Sequence, residues 1–134
     1  MIKVIIVGKL AKDVELRYTP SGKAVATLTI PHSEVISKSK KPDCPNGWKD
    51  SYNSKNWELT TWTKITVWGD RAETCSNWLQ KGNIVAVEAV LNGEAIDGSH
   101  NPRVWTDNSG QGRASFEFTA TRVEFVTMGD VTAD

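Results

Sequence analysis

The stretch from Trp57 to Gly69 reads Trp-Glu-Leu-Thr-Thr-Trp-Thr-Lys-Ile-Thr-Val-Trp-Gly. Side chains of a β-strand point alternately to its two faces. A strand over residues 62–68 therefore has one face made of Thr63, Ile65 and Val67. Its other face carries Trp62, Lys64, Thr66 and Trp68. The first face suits a protein core, whereas the second places a cation between two indole rings.

Two indoles with a lysine between them are typical of a surface that binds unpaired nucleotides. Bases stack on aromatic rings at about 1–3 kcal/mol per base, and a neighbouring cation meets the phosphates. The pattern thus predicts a single-stranded nucleic-acid interface on the face of Trp62 and Trp68. An alternative stays open at this point, in which one or both rings pack against another element of the same protein.

Length and hydropathy limit the class of protein. The chain has 134 residues, which suits one domain with a real core. It contains no apolar run long enough to span a bilayer. The apolar start at residues 1–8 is short and lacks a basic leader and a cleavage site, so it predicts a strand and not a signal peptide. We expect a cytoplasmic protein with no membrane partner.

Few residues suggest catalysis or a cofactor. Cys44 and Cys75 have no metal-like spacing, which argues against both a disulfide framework and a zinc site. His32 and His100 fall in expected loop or strand-end positions without a converging set of catalytic groups. We therefore predict a protein that is not an enzyme and that uses no cofactor or metal.

The formal net charge is zero, with 16 basic and 16 acidic residues, whereas nucleic-acid binders tend to be basic. The charges are unevenly distributed, because residues 1–64 carry a net charge of +5 and residues 65–134 a net charge of −5. This segregation allows a positive face on a neutral molecule. Chance in a short chain is the alternative explanation.

Hydrophobic patterns and turn residues predict five strands. These are Lys3–Leu10, Ala24–Ile30, Trp62–Trp68, Ile84–Leu91 and Ala114–Val126. A turn at Thr19-Pro20-Ser21-Gly22 precedes the second strand, since proline presets φ and glycine accepts a positive φ. We expect residues 18–30 to form a bent hairpin around this turn.

One helix is predicted over residues 70–81. Asp70 is its expected N-cap, Glu73 completes a capping box, and Gly82 stops the helix. The residues that recur at helical spacing and face the core are Ala72, Cys75 and Leu79. Trp78 is also expected to pack against the core.

Two polar segments interrupt the strands. Residues 33–56 are rich in lysine, serine, proline and asparagine, which predicts an exposed, mobile loop. This loop is either a basic flap that grips a nucleic acid or an insertion kept soluble by its lysines. Residues 92–112 are rich in glycine, asparagine and aspartate, which predicts a β-hairpin arm carrying Trp105.

Three strands, a helix and two strands are the sequence order of the OB-fold. The predicted fold is therefore all-β with one short helix: a five-stranded OB-fold Greek-key barrel with long β-hairpin arms and the helix between strands 3 and 4. In this fold the face of strands 2 and 3 and the flanking loops bind oligonucleotides. The tryptophan strand is the predicted strand 3.

The sequence resembles the bacterial single-stranded DNA-binding protein family over most of residues 1–126. The matching segments are residues 3–8, 17–26, 72–73, 79–82 and 105–111, together with Trp62, Trp68 and Gly69. Each segment is weak evidence alone, but jointly they are specific. The resemblance implies an OB-fold DNA-binding domain over residues 1–126, followed by a short disordered tail at 127–134. It also implies a homotetramer built as a dimer of dimers.

The function implied by the resemblance is sequence-independent binding and protection of single-stranded DNA during replication, recombination and repair, in the cytoplasm with the nucleoid. The stacking rings of the family fall on Trp62, Trp68 and Trp105. Its basic backbone contacts fall on Lys3, Arg17, Lys64, Lys81 and Arg113. Arg103, two positions before Trp105, is a further candidate. The polar loop adds the candidates Trp48, Trp57, Lys38, Lys40, Lys41 and Lys49.

The chain departs from the family pattern at several positions. Val35 stands where a further stacking tryptophan is expected, and its candidate replacements are Trp48, Tyr52 and Trp57. Thr63 replaces a histidine linked to subunit contacts, and Asp70 replaces a basic residue at the start of the helix. The sequence also ends without the long linker and acidic tip of the typical member, so that either the natural protein lacks this tip or the sequence is truncated.

One alternative function stays open. A replication-accessory OB-fold protein could act as a protein-interaction module with weak nucleic-acid binding, which would explain the neutral charge and the missing tip. Replication and repair proteins are further candidate partners.

Overall fold

The computed structural model describes residues 1–126, and the predicted tail at 127–134 lies outside the described residues. The strands are β1 (Val4–Lys9), β2 (Glu15–Tyr18), β3 (Ala24–Ser37), β4 (Lys49–Asp50), β5 (Asn56–Trp68), β6 (Ile84–Leu91), β7 (Glu94–Ile96), β8 (Ser99–Asn101), β9 (Val104–Thr106), β10 (Gly112–Ala114) and β11 (Phe116–Val126). One helix, α1 (Asp70–Trp78), occurs among these residues. The chain divides into a first unit, residues 1–30 with the chain from Trp62 on, and a second unit, residues 31–61.

Seven strands form one sheet in the order β1-β6-β11-β5-β3-β2, with β4 paired to β5. The pairs β1–β6, β11–β6 and β2–β3 are antiparallel, whereas β11 and β5 are parallel. The two ends of this order, β1 and β2, are separated in the chain by residues 10–14 alone. Because so short a link spans at most about 18 Å, the sheet has to curve and bring its ends together. The strand order and the helix after β5 confirm the predicted OB-fold.

Each of the five predicted strands has a counterpart, in β1, β3, β5, β6 and β11. The predicted turn before the second strand is also confirmed, because the Gly22 amide donates to the Thr19 carbonyl over 2.8 Å. The strand β2 on its other side begins at Glu15, earlier than the hairpin predicted from Tyr18.

The hydrophobic core lies in the first unit. Its buried members are Leu10, Ala24, Ala26, Leu28, Ile30, Ile65, Val67, Ala72, Cys75, Leu79, Val85, Val87, Ala89 and Phe118. Thr63 also faces inward, and its Oγ1 donates a hydrogen bond of 2.7 Å to the carbonyl of Ile30. Thr63, at the position where the resemblance implies a histidine, therefore forms a contact inside the chain.

The helix differs from its prediction at both ends. Gly69, with a φ of 73°, is the N-cap, and no side chain caps the helix, so the predicted Asp70–Glu73 capping box is wrong. The helix ends at Trp78 instead of residue 81. The reason lies outside the helix, because Asn83 Oδ1 accepts from the Gln80 amide and Asp13 Oδ1 accepts from the Lys81 amide. The amides of Gln80 and Lys81 therefore bind side chains instead of helical carbonyls.

The predicted core packing of Trp78 is wrong, because its side chain is 75% exposed. Its neighbours behave as predicted, since Ala72, Cys75 and Leu79 are all buried. A nine-residue helix that lies on a sheet buries one narrow stripe. Trp78 falls outside that stripe.

The polar loop is shorter than predicted. In the second unit β3 continues to Ser37, β4 pairs with β5, and β5 begins at Asn56, so strands occupy part of the predicted loop over 33–56. The segment between them is largely exposed, as predicted. The second polar segment forms two short hairpins, β7–β8 and β9–β10, in place of one arm.

Candidate nucleic-acid interface

The end of β5 in the first unit alternates as the sequence predicts. Trp62 and Trp68 are 54% and 42% exposed, and Lys64 between them is exposed. The opposite side chains Thr63, Ile65 and Val67 are buried. Neither indole belongs to the buried core. We call the face of Trp62, Lys64, Thr66 and Trp68 the β5 platform.

A lysine that the sequence analysis did not single out lies against this platform. The Nζ atom of Lys23 is 5.1 Å from the centroid of the Trp68 ring, within the range of a cation–π interaction. Lys23 precedes β3 and Trp68 ends β5, and these strands are neighbours in the sheet. The Gly69 amide donates to the Ala24 carbonyl over 2.8 Å, which brings Lys23 and Trp68 together. Lys23 lies 45 positions before Trp68, and only the strand pairing brings them together.

We call residues 92–117, which include the two short hairpins, the arm. Trp105 lies on β9 in this arm and carries a cation on its ring. The guanidinium carbon of Arg103 is 4.6 Å from the ring centroid. Arg103 also forms a double hydrogen bond with Glu117, in which Nη2 donates to Oε2 over 2.7 Å and Nε donates to Oε1 over 3.4 Å. The guanidinium group thus has an aromatic ring and a carboxylate as neighbours.

Glu117 connects this arm to the β5 platform. It stands opposite Lys64 in the parallel pairing of β11 with β5, and its Oε2 accepts from Ser115 Oγ over 2.9 Å. Burial tends to raise the pKa of Glu117, but the hydrogen bonds from Arg103 and Ser115 and the charges of Arg103 and Lys64 outweigh it. The pKa is therefore lowered, and the carboxylate is ionised at neutral pH.

A second carboxylate holds Arg113, which pairs with Trp105 across the β9–β10 hairpin. Arg113 Nε donates to Asp107 Oδ2 over 2.8 Å. The other oxygen, Oδ1, accepts from the amides of Ser109 and Gln111, each over 3.0 Å, and from Ser109 Oγ over 2.7 Å. The hydrogen bonds from Arg113 and Ser109 lower the pKa of Asp107 to about 2. One oxygen organises the turn, and the other binds the arginine.

The remaining predicted cations of the first unit lie at different distances along the sheet from the platform. Lys3 precedes β1 and forms an ion pair of 2.5 Å with Glu88 on β6, a strand that does not neighbour β5. Arg17 lies on β2 and reaches Thr27 Oγ1 over 3.5 Å. Lys81 follows α1. Among the described residues, the side chains of Arg17, Lys64 and Lys81 form no ion pair.

In the second unit the predicted ring Trp57 is already engaged. Its Nε1 donates to the Lys41 carbonyl over 2.7 Å, and Lys38 Nζ lies 4.3 Å from its ring centroid. Lys38 also forms an ion pair of 2.5 Å with Asp50. The side chains of Trp57 and Lys38 therefore stabilise the polar loop through contacts within it.

The other candidates of the second unit vary in exposure. Trp48 is half-buried, and its carbonyl accepts from Cys44 Sγ over 3.3 Å. The lysines Lys40, Lys41 and Lys49 are exposed. Val35 is exposed as well, but it offers no ring for stacking.

Two searches of residues 1–126 bear on other kinds of site. No helix in this part of the chain is long and apolar enough to cross a membrane. No group of three or more His, Cys, Asp or Glu side chains in the same range is arranged to hold a metal ion.

Comparison with known proteins places the chain among relatives of this architecture. The model of the family described as "Single-strand binding protein family" matches residues 1–126. The wild-type single-stranded DNA binding protein from Thermus aquaticus matches with a TM-score of 0.59 and 18% identity, over 93% of this chain and 50% of that one. A deletion mutant of the same protein, delta 228-252 R190A, matches with a TM-score of 0.58, 18% identity and the same coverage of both chains.

The structural matches and the family match support different conclusions. The chain spans about half the length of the two solved proteins that it matches. At 18% identity the structural match concerns the shared fold, whereas the family match extends over nearly all of the sequence. The chain therefore belongs to the single-strand binding protein family.

Proposed function

We propose that residues 1–126 form a domain that binds single-stranded DNA without sequence preference, by stacking bases on Trp62, Trp68 and Trp105. The observation that carries this proposal is the exposed β5 platform, where two indoles flank an exposed lysine. Six residues of extended strand separate the rings by roughly 20 Å, which leaves room for several unpaired bases. Family membership supports single-stranded DNA as the ligand.

Stacking explains the lack of sequence preference. Every base has a flat π-face, so a ring accepts any of them, whereas readout of base edges needs a defined set of donors and acceptors. The β5 platform offers rings, an ammonium group and a threonine hydroxyl. The biological role that follows is protection of exposed strands during replication, recombination and repair.

Phosphates would be met by the cations around the rings. On the platform these are Lys64 and Lys23, and on the arm they are Arg103 and Arg113. Arg17, Lys81 and Lys3 would contact the strand further along its path. The second unit adds Lys38, Lys40, Lys41 and Lys49, with Trp48 and Trp57 as rings. Because the Trp57 indole is also held within its loop by the hydrogen bond from Nε1 to the Lys41 carbonyl, its part in stacking would be smaller than that of Trp62.

Self-association is supported by the surface of β1. This strand lies at an end of the sheet order, and its side chains Ile5 and Val7 are 66% and 60% exposed. An edge strand with an apolar face is a ready site for pairing with a second copy. The proposed assembly is a homotetramer, a dimer of dimers.

Titration of the tryptophan fluorescence tests the binding proposal. We expect strong quenching by oligo-dT, because bases stacked on Trp62, Trp68 and Trp105 quench their emission, and little quenching by duplex DNA at the same salt concentration. Equal quenching by both would contradict single-strand stacking. No response to either would favour the alternative, an OB-fold protein-interaction module.

A further inference from the structure

The arm that carries Trp105 has an unexpected charge for a surface that meets a polyanion. Residues 92–117 contain two arginines, Arg103 and Arg113, and four acidic residues, Glu94, Asp97, Asp107 and Glu117. Each arginine is held by one of these acids, at 2.7 Å in the Arg103–Glu117 pair and 2.8 Å in the Arg113–Asp107 pair. The two cations best placed beside Trp105 are thus neutralised within the protein.

We infer that Glu117 and Asp107 are residues that set the salt dependence of DNA binding, because they neutralise Arg103 and Arg113 before a phosphate binds to either arginine. This inference rests on the proposed function, because it concerns how that site meets a strand. Glu117 and Asp107 act through the arginines and are positioning residues. The acids make binding by this arm tolerant of salt.

The physical reason is the net charge of each contact. An unpaired cation that neutralises a phosphate of a single strand releases counterions, which contributes about 0.7 to the slope of log affinity against log salt. A phosphate that joins an existing arginine–carboxylate pair forms a group of two anions and one cation. This group has the same net charge of −1 as the phosphate alone, so the counterion need not leave. The expected contribution of such a contact to the slope is close to zero.

The geometry also explains why phosphate can share these arginines. The side chains of Arg103 and Arg113 are 44% and 57% exposed, so solvent reaches both guanidinium groups. Exposed ion pairs are weak, which allows a second anion to approach without a large cost. The acids are more enclosed than their partners. The two carboxylates therefore keep their positions while each guanidinium group binds a phosphate on its solvent-exposed side.

Asp107→Asn separates the charge from the structural role of this residue. Asparagine keeps an Oδ1 that accepts from the Ser109 and Gln111 amides, so the turn is retained, but it removes the negative oxygen that binds Arg113. Glu117→Gln removes the negative charge beside Arg103, while an oxygen at the Oε2 position can still accept from both Ser115 Oγ and Arg103 Nη2. The matched control is Asp97→Asn, which removes the same charge from the same arm. Among the described residues Asp97 forms no ion pair.

The experiment measures the affinity for labelled oligo-dT by fluorescence anisotropy across a series of salt concentrations. Asp107→Asn and Glu117→Gln should each bind more tightly than the native protein at low salt and steepen the slope by about 0.7. Between about 50 and 200 mM salt, each variant should lose about 2.6-fold more affinity than the native protein. The control Asp97→Asn should leave the slope nearly unchanged.

Arg113→Gln provides the test of mechanism. If Asp107 acts through Arg113, adding Asp107→Asn to Arg113→Gln should no longer change the slope. Equal slopes in the native protein, Asp107→Asn and Glu117→Gln, or equal steepening in Asp97→Asn, would overturn the inference while leaving DNA binding itself established. Failure of the native protein to bind oligo-dT at low salt would instead overturn the proposed function. Thermal melting of each variant verifies that the fold is kept.

Discussion

Thr63 Oγ1 donates a hydrogen bond of 2.7 Å to the carbonyl oxygen of Ile30. The bond ties the inner side of β5 to β3 at the point where Trp62 and Lys64 flank Thr63. Because successive residues of a strand point to opposite faces, an inward Thr63 turns both flanking side chains outward. The exposure of Trp62 is therefore fixed by the core beneath it, and its ring can be removed without opening a cavity.

The first prediction concerns the three proposed stacking rings. Trp62→Ala, Trp68→Ala and Trp105→Ala should each weaken binding of oligo-dT by about 1–3 kcal/mol, because each removes the surface for one base. Anisotropy of a labelled oligonucleotide measures the affinity without depending on the tryptophan that was removed. Thermal melting should be nearly unchanged. Native affinity in all three variants would mean that DNA binds elsewhere.

The second prediction compares two neighbours at the end of α1. Trp78→Ala should change the free energy of unfolding by less than about 1 kcal/mol, because the side chain is mostly exposed. Leu79→Ala should cost about 2–5 kcal/mol, because Leu79 is buried in the core. Urea denaturation of both variants gives the comparison. If Trp78→Ala lowered the free energy of unfolding as much as Leu79→Ala, another surface would have to cover the indole.

The third prediction concerns the two cysteines. Cys44 is exposed, whereas Cys75 is buried, and burial raises the pKa of the Cys75 thiol to about 11. Because the thiolate is the reactive form, one thiol should react with an alkylating reagent at about pH 8, and both should react in denaturant. Rapid alkylation of both thiols in the native protein would contradict the buried position of Cys75.

The same raised pKa predicts a loss of stability in alkaline solution. The folded state keeps the Cys75 proton at pH values where the unfolded thiol, with its ordinary pKa of 9.0, has already lost it. The unfolded state therefore binds fewer protons, and stability should fall as the pH rises from 9.0 to about 11. In Cys75→Ala this part of the pH dependence should disappear, which melting curves across that range will measure.

The fourth prediction separates the two roles of the lysine-rich second unit. Replacing four lysines by glutamine, Lys40, Lys41, Lys49 and Lys55, should flatten the salt slope by roughly 2–3 if each contacts a phosphate. Lys38→Gln is the contrasting variant, and it should change the slope much less because Asp50 already neutralises Lys38.

Proteolysis gives an independent test of the same loop. Trypsin should cleave the exposed lysines of the native protein, and saturating oligo-dT should protect them. An unchanged slope in the four-lysine variant, with equal cleavage in both conditions, would leave the loop as an insertion kept soluble by its lysines.

The fifth prediction tests self-association through β1. Val7 and Val35 are both exposed strand valines, at 60% and 59%, but only Val7 belongs to the proposed contact. Val7→Lys should lower the oligomer mass measured by light scattering, because it places a charge on the apolar edge strand, and Val35→Lys should not. A monomer mass for the native protein at micromolar concentration would refute the homotetramer.

Local patterns of the sequence determined the elements and the main face of the candidate site. The alternation along Trp62–Trp68 confirms which side chains leave the core, because a period of two is a property of the strand itself. The burial of Ala72 and Cys75 follows in the same way from helical spacing, whereas Leu79 lies beyond the last helical residue and is buried on an extended backbone. The strand order and family motifs sufficed to predict the OB-fold.

Contacts between side chains that are distant in the sequence depend on the three-dimensional fold. The early end of α1 depends on Asp13 and Asn83, which lie outside the helix. The Arg103–Glu117 pair depends on how the arm meets β11, across a separation of 14 positions. Both are contacts set by strand pairing and loop path, and a local pattern contains no information on them. For that reason the sequence identified the arginines beside Trp105, and the fold alone revealed that each already holds a carboxylate.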